Sequence, residues 1–258
     1  MAIITFMSDF GHRDHYVAAV KAKIFNINPH INLVDISHQV DCFNIAHASY
    51  VLKAVYRDFP KGTVHLVSVN TASKPKERLI AMKFDDHYFV GADNGIFSLM
   101  SDNSEAYLAV ELEKDSLAGL FPETTILAPA AVSLAGGTPM MSLGKQVNDI
   151  RQMLSRQLRI TKTQIMGHAV HIDHYGNVIT NITREAFEKV REGRSYVISF
   201  GRESVEYIGS GYNEGDPGDI VAIFNTNQQL EICLNSGNAS ELLGLHYDSV
   251  VNISFTGL

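Results

Sequence analysis

The spacing of apolar residues changes once along this 258-residue chain, and that change restricts the fold more than any single motif does. Through about residue 150, short runs rich in β-branched residues (3–7, 31–36 and 64–69) are separated by segments of helical period. Tyr16–Ile27 carries Val17, Val20, Lys21 and Ile24 at helical spacing, and residues 44–56 repeat the pattern. A strand–helix–strand order predicts an α/β unit with a mostly parallel sheet and crossover helices. Further strands are expected at 78–84 and 88–91, with a helix over Ala128–Ala135 opened by Pro129 near its first turn.

From about His168 the grammar is different. The segments 169–172, 196–200, 205–208, 220–224, 230–234 and 250–255 are short, β-rich and separated by turn formers such as GSGYNEGDPGD at 209–219. Many short strands without helices predict an all-β, antiparallel, barrel-like unit or sandwich. The expected division is therefore an α/β domain over 1–155, a connector over 156–164 and an all-β domain over 165–258.

Composition narrows the partners. The chain is 45% apolar and 19% charged, with a net charge of −7 and no polybasic run, which argues against nucleic acid or an anionic membrane surface. Cys42 and Cys233 lie far apart and form no CxxC, so neither a disulfide framework nor a structural metal site is expected. The opening MAIITFMSDFG has no basic stretch and meets an acid at Asp9, and no apolar run approaches the roughly 18–20 residues of a membrane span. A cytoplasmic location is expected.

Several stretches carry candidate chemistry. Asp9 falls where the first strand should end, and a carboxylate beyond a strand's carboxyl end can accept two hydrogen bonds from a ribose diol. The alternative is that Asp9 or Asp14 caps the helix starting near Tyr16. At and just before HIDHYGNVITNI (171–182), His168, His171 and His174 recur every third residue, a spacing that sends His171 to the opposite face of a strand and disfavours a shared metal. The YGN turn beside TN could instead read a flat polar ring edge, or simply close a hairpin. LEICLNSGNASELLGL reads as a strand, a turn and a short helix capped near Asn238. There is no P-loop, GxSxG, HExxH or early GxGxxG.

Taken in chain order, FMSDFGHRD, VDISHQV, FPKGTVHLVSV, GADNGIFS, LAPAAVSLAGG, DHYGNVITNI and LEICLNSGNASELLGL resemble the S-adenosylmethionine hydroxide adenosyltransferase family, which also contains fluorinating and chlorinating enzymes. The likeness implies a homotrimer, with the adenosyl pocket between one subunit's N-terminal domain and a neighbour's C-terminal domain. It implies no cofactor, S-adenosylmethionine itself being substrate or ligand. On this likeness Asp9 would hold the ribose hydroxyls and Phe43 would flank the ligand. Asp173, Tyr175 and Asn177 would meet the methionine part and the adenine surroundings, Asn238 and Ala239 the adenine edge, and Thr226 and Asn227 the methionine.

The family reaction is attack on the 5′ carbon of S-adenosylmethionine with methionine leaving. Hydrolytic members read approximately V-D-P-G-V-G-T-x-R-R where this chain has VNTASKPKER, so Asn70 takes the place of an aspartate. Ala72 and Lys74 replace glycines, Ser73 falls near a halide-contacting hydroxyl of the halogenating members, and the arginine position is Glu77 or Arg78. The family's histidine position is Pro122 in LFPETTILAPAA. An amide is no base near neutral pH, and proline offers no proton chemistry. The expectation is hydrolysis to adenosine and methionine with a rewritten catalytic set, Asn70 orienting water and Arg78, with Glu77 or Glu123, taking part. The alternatives are a non-catalytic adenosine- or S-adenosylmethionine-binding trimer, or adenosyl transfer with another nucleophile or substrate.

Overall fold

The computed structural model describes residues 2–71, 77–101, 107–113 and 120–257. The chain forms two compact units, the first ending at Ser155 and the second beginning at Arg156.

The first unit contains β1 (Ile3–Ser8), α1 (Tyr16–Ile27), β2 (Asn32–Ser37), α2 (Ile45–Val55), β3 (Val64–Ser68), β4 (Leu79–Phe84), β5 (His87–Ala92), α3 (Ile96–Met100), β6 (Leu108–Leu112), α4 (Ala128–Ala135) and β7 (Gly144–Val147). Its seven-stranded sheet runs β2-β1-β3-β5-β4-β6-β7. Among the described residues, only β1 with β2, β1 with β3 and β3 with β5 pair in parallel. The pairings β5–β4, β4–β6 and β6–β7 are antiparallel, so the sheet is mixed rather than mostly parallel. The cause lies between β4 and β5. Asp85 and Asp86 both take positive φ (48° and 60°), a two-residue hairpin turn, and so short a link can join only antiparallel strands.

Alternation along β1 builds two cores. Ile4 and Phe6 meet Val20 and Ile24 of α1 and Ala131 of α4 on one face. Met7 meets Leu52 of α2 and Ile96 and Phe97 of α3 on the other. Each such fully buried side chain stabilises the unit by about 1.5–3 kcal/mol. Asn44 caps α2 by accepting from His47 N at 3.0 Å. The N-cap of α1 is His15, with no side-chain cap, so neither Asp9 nor Asp14 performs that role.

The second unit contains β8 (Arg159–Ile160), β9 (Gln164–Ile172), β10 (Val178–Thr183), α5 (Arg184–Arg191), β11 (Ser195–Phe200), β12 (Glu203–Val205), β13 (Ile220–Phe224), β14 (Gln229–Leu234), α6 (Ala239–Leu243) and β15 (Val250–Thr256). Its eight strands run β12-β11-β15-β9-β10-β14-β13, with β8 beside β9, and every pairing is antiparallel. The sheet curls almost to closure: Gly209, just past β12, bridges Ile223 of β13 and donates to Ala222 O at 2.7 Å. The interior is filled by Val178, Ile182, Ile198, Ile232 and Ile253.

This unit is not free of helices. Thr183 Oγ1 accepts from Ala186 N at 3.2 Å and starts α5, whose Phe187 and Val190, three residues apart, reach the core. No helix among the described residues is long and apolar enough to cross a membrane.

Candidate functional site

In the first unit β1 and β3 lie side by side with Ser8 opposite Ser68, so the residues that follow them leave the same carboxyl edge of the sheet. Asp9 and Asn70 are among those residues. Asp9 Oδ2 accepts from Phe43 N at 2.9 Å and from Asn70 N at 3.2 Å. Phe43 and Asn70 both have positive φ (64° and 50°), an uncommon backbone for residues with a Cβ, and one that costs on the order of 1–3 kcal/mol. Two strained N–H groups therefore converge on one carboxylate oxygen. The Phe43 ring projects into solvent, 72% exposed.

A cleft of about 490 Å³ opens here, lined by Asp9, Phe43, Asn70, Thr71, Pro122 and Glu123 together with the aromatic rings of Phe10, Tyr16 and Phe121. Those three rings contact one another at centroid distances of 5.6–5.8 Å. Glu123 is buried, and Ser68 Oγ donates to its Oε1 at 2.6 Å. Behind the cleft, Ser8 Oγ meets His38 Nδ1 at 2.8 Å, and Asp35 Oδ1 lies 3.2 Å from His38 Nε2. That line looks like a nucleophile–base–acid set, but Ser8 and His38 are sealed from solvent and neither lines the cleft. Burial holds the His38 ring below its ordinary pKa.

A second cleft, of about 700 Å³, lies within the second unit. Asp173, Tyr175, Asn177, Tyr212 and Asn213 line it, with residues 234–238. Asp173 organises the turn between β9 and β10: its Oδ1 accepts from Tyr175 N and Asn177 N, both at 2.9 Å, and its Oδ2 from Asn177 Nδ2 at 3.0 Å. Gly176 has φ +84°, and a Cβ there would lie 2.0 Å from Asn238 Oδ1. Ser240 N donates to Gly176 O at 2.8 Å, while Asn238 Oδ1 accepts from Glu241 N at 3.0 Å and caps α6. The YGN and SGN turns are thus locked face to face. Beneath them Glu231 is buried and accepts from Asn225 Nδ2 at 2.9 Å and from the Cys233 thiol at 3.5 Å. Burial, aided by Glu231, pushes the Tyr212 hydroxyl up to about 12 and the Cys233 thiol upward as well.

Comparison with known proteins decides what these clefts belong to. Residues 4–144 match the SAM hydroxide adenosyltransferase N-terminal domain, and residues 167–252 match the C-terminal domain of the same name. The chain belongs to the SAM hydroxide adenosyltransferase family. A Thermus thermophilus relative named (R)-S-adenosyl-L-methionine hydrolase is 31% identical over 95% of this chain and 96% of its own. One of the same name from Methanocaldococcus jannaschii is 26% identical over 98% and 96%. A protein from Actinoplanes named fluorinase is 22% identical over 91% of each. An uncharacterized conserved protein from Thermotoga maritima, of known crystal structure, superposes with a TM-score of 0.89 at 29% identity, covering 97% of this chain and 99% of that one.

Of the residues implied by likeness to the adenosyltransferase family, Asp9, Phe43 and Asn70 share the first cleft, and Asp173, Tyr175, Asn177 and Asn238 share the second. Others lie elsewhere. Arg78 does not line the first cleft: its Nε and a terminal nitrogen bind Asp93 Oδ2 at 2.9 and 2.5 Å, and it also donates to Asp149 O at 3.0 Å. Thr226 and Asn227 are exposed at the tip of the β13–β14 hairpin and line neither cleft. The Ala239 side chain is buried in the barrel core, so only its backbone is free for recognition. Ser73, Ala72 and Lys74 lie outside the described residues. Tyr212 was missed, because GSGYNEGDPGD reads as a turn cluster; an aromatic ring set among glycines was the available signal.

Proposed function

We propose that this chain hydrolyses S-adenosyl-L-methionine to adenosine and L-methionine by attack of water at the 5′ carbon. The observation that carries this reading is Asp9, fixed at a sheet's carboxyl edge by two backbone donors and facing a cleft with aromatic walls. A carboxylate so held is oriented to accept the two hydroxyls of a ribose, a charge-assisted geometry. The leaving sulfur is a sulfonium and departs as a neutral thioether, so no general acid is needed. The protein's work is to align water, C5′ and sulfur and to keep other water out. The rings of Phe10, Tyr16 and Phe121 suit that exclusion. The names of the curated relatives support the same reaction. A homotrimer in the cytoplasm belongs to this proposal.

One observation favours a second reading, a non-catalytic adenosyl-binding protein. Arg78 is tied to Asp93 and Asp149, and Asn70 and Pro122 handle no protons. Incubating the protein with S-adenosylmethionine and following products by chromatography separates the two. Equimolar adenosine and methionine above a protein-free control is the expected outcome. Thermal stabilisation by the ligand without product would instead establish the binding protein.

A further inference from the structure

Asn70 and Pro122 bring no base to the first cleft, and of the acids the sequence offered, the structure puts Glu123 in its floor. Glu123 follows Pro122 at the start of the π-type turn Glu123–Leu127 that leads into α4. It is 4% exposed and still lines the cleft beside Asp9, Asn70 and Thr71. Resting on the hydrolytic reading, we infer that Glu123 is the catalytic residue that takes the proton from the attacking water.

Its partners hold it ready for that task. Ser68 Oγ donates to Glu123 Oε1 at 2.6 Å and also lies 3.1 Å from Thr71 Oγ1. A serine hydroxyl has one hydrogen, so Ser68 spends it on the carboxylate and accepts from Thr71. The Thr71–Ser68–Glu123 chain fixes the carboxylate's orientation at the cleft floor. Among the described residues, the other titratable groups lining this cleft are Asp9, Tyr16 and Cys42. Asp9 Oδ2 is occupied by Phe43 N and Asn70 N, the Cys42 thiol rests on Asp9 O at 3.8 Å, and the Tyr16 ring packs against Phe10 and Phe121.

The step balances. The water oxygen bonds to C5′ while the C5′–S bond breaks, its electron pair passing to sulfur, which leaves as methionine's neutral thioether. The attacking water gives one proton to Glu123 and keeps the other as the 5′-hydroxyl of adenosine. Glu123 then returns its proton to solvent, so the sulfonium's positive charge ends as a released proton.

The test is E123Q, which keeps an acceptor for Ser68 but no base. General-base removal should lower kcat for adenosine release about 10²-fold or more, with KM little changed, and abolish the acid limb of the wild-type pH–rate profile. E123D, with the carboxylate one methylene short, should retain that limb at reduced kcat, and it decides the matter if E123Q does not fold. A wild-type kcat in either variant, or a slow E123Q that keeps the acid limb, would overturn the assignment while the hydrolase reading stands. Absence of adenosine release by the wild-type chain would overturn both.

Discussion

At the scale of single residues, the position of Asp9 rests on two backbone amides rather than on side chains, so its replacement tests recognition with limited effect on the core. In D9N the amide oxygen can still accept from Phe43 N or Asn70 N, but the negative charge is gone. A hydrogen bond to a charged group contributes about 1.5–3 kcal/mol, so adenosine should bind roughly 10- to 100-fold more weakly to D9N, as read by isothermal titration. Unchanged affinity would remove Asp9 from the ribose. Gly176 is the opposite case, conspicuous in sequence only as the centre of YGN. Its φ of +84° and the 2.0 Å approach of Asn238 Oδ1 leave no room for a methyl. G176A should therefore cost more than about 2 kcal/mol in denaturant unfolding, through backbone strain and separation of the two turns. The sequence shows both turns but not their contact, because 61 residues lie between Gly176 and Asn238. Arg78 is placed by a contact the sequence does not announce. Likeness to a family motif suggested chemistry there, and in the structure the buried Asp93, at the carboxyl end of β5 and opposite Arg78, holds the guanidinium.

At the scale of elements, periodicity carried well where elements were long. The helices Tyr16–Ile27 and Ala128–Ala135 are where their apolar spacing places them. Strand direction carried less well. Periodicity does not encode direction, and the informative feature was the two-residue Asp85-Asp86 link. α5 escaped notice because it is two turns long and largely charged, its Thr183 cap and Phe187/Val190 pair being short-range signals. The strand β3 carries a consequence for pH. His65 is buried, with Nδ1 2.8 Å from Thr5 Oγ1 and Nε2 3.1 Å from His87 Nδ1. Burial, reinforced by the neighbouring His87 ring, lowers its pKa to about 3. The unfolded chain, whose histidines titrate near 6.5, therefore takes up this proton first as pH falls. His65's contribution is full above about pH 6.5 and is lost progressively toward pH 3, a swing on the order of 5 kcal/mol. Urea midpoints measured between pH 7 and 4 should fall steeply for the wild type and less steeply for H65N. Equal slopes would show that His65 titrates normally in the folded protein.

At the scale of the whole molecule, the change in sequence period corresponds to a change in architecture: a mixed sheet covered by helices, then a nearly closed antiparallel sheet. Assembly is less legible, because a surface meant for a second copy obeys the same solubility rules as any other surface. One feature of the first unit bears on it. Lys21 Nζ of α1 reaches Asp35 Oδ2 of the edge strand β2 at 2.5 Å, so helix and strand lie together, and Phe25, Ile27 and Val34 on these two elements are each 40–45% exposed. Covering such side chains with another subunit recovers apolar area that water now meets. If the proposed trimer forms, sedimentation should report a particle of three 28.5 kDa chains. Its thermal midpoint should also rise with protein concentration, since association stabilises the folded state by mass action. A single-chain mass with a midpoint independent of concentration would exclude the trimer, and the adenosyl ligand would then have to be bound by one chain alone.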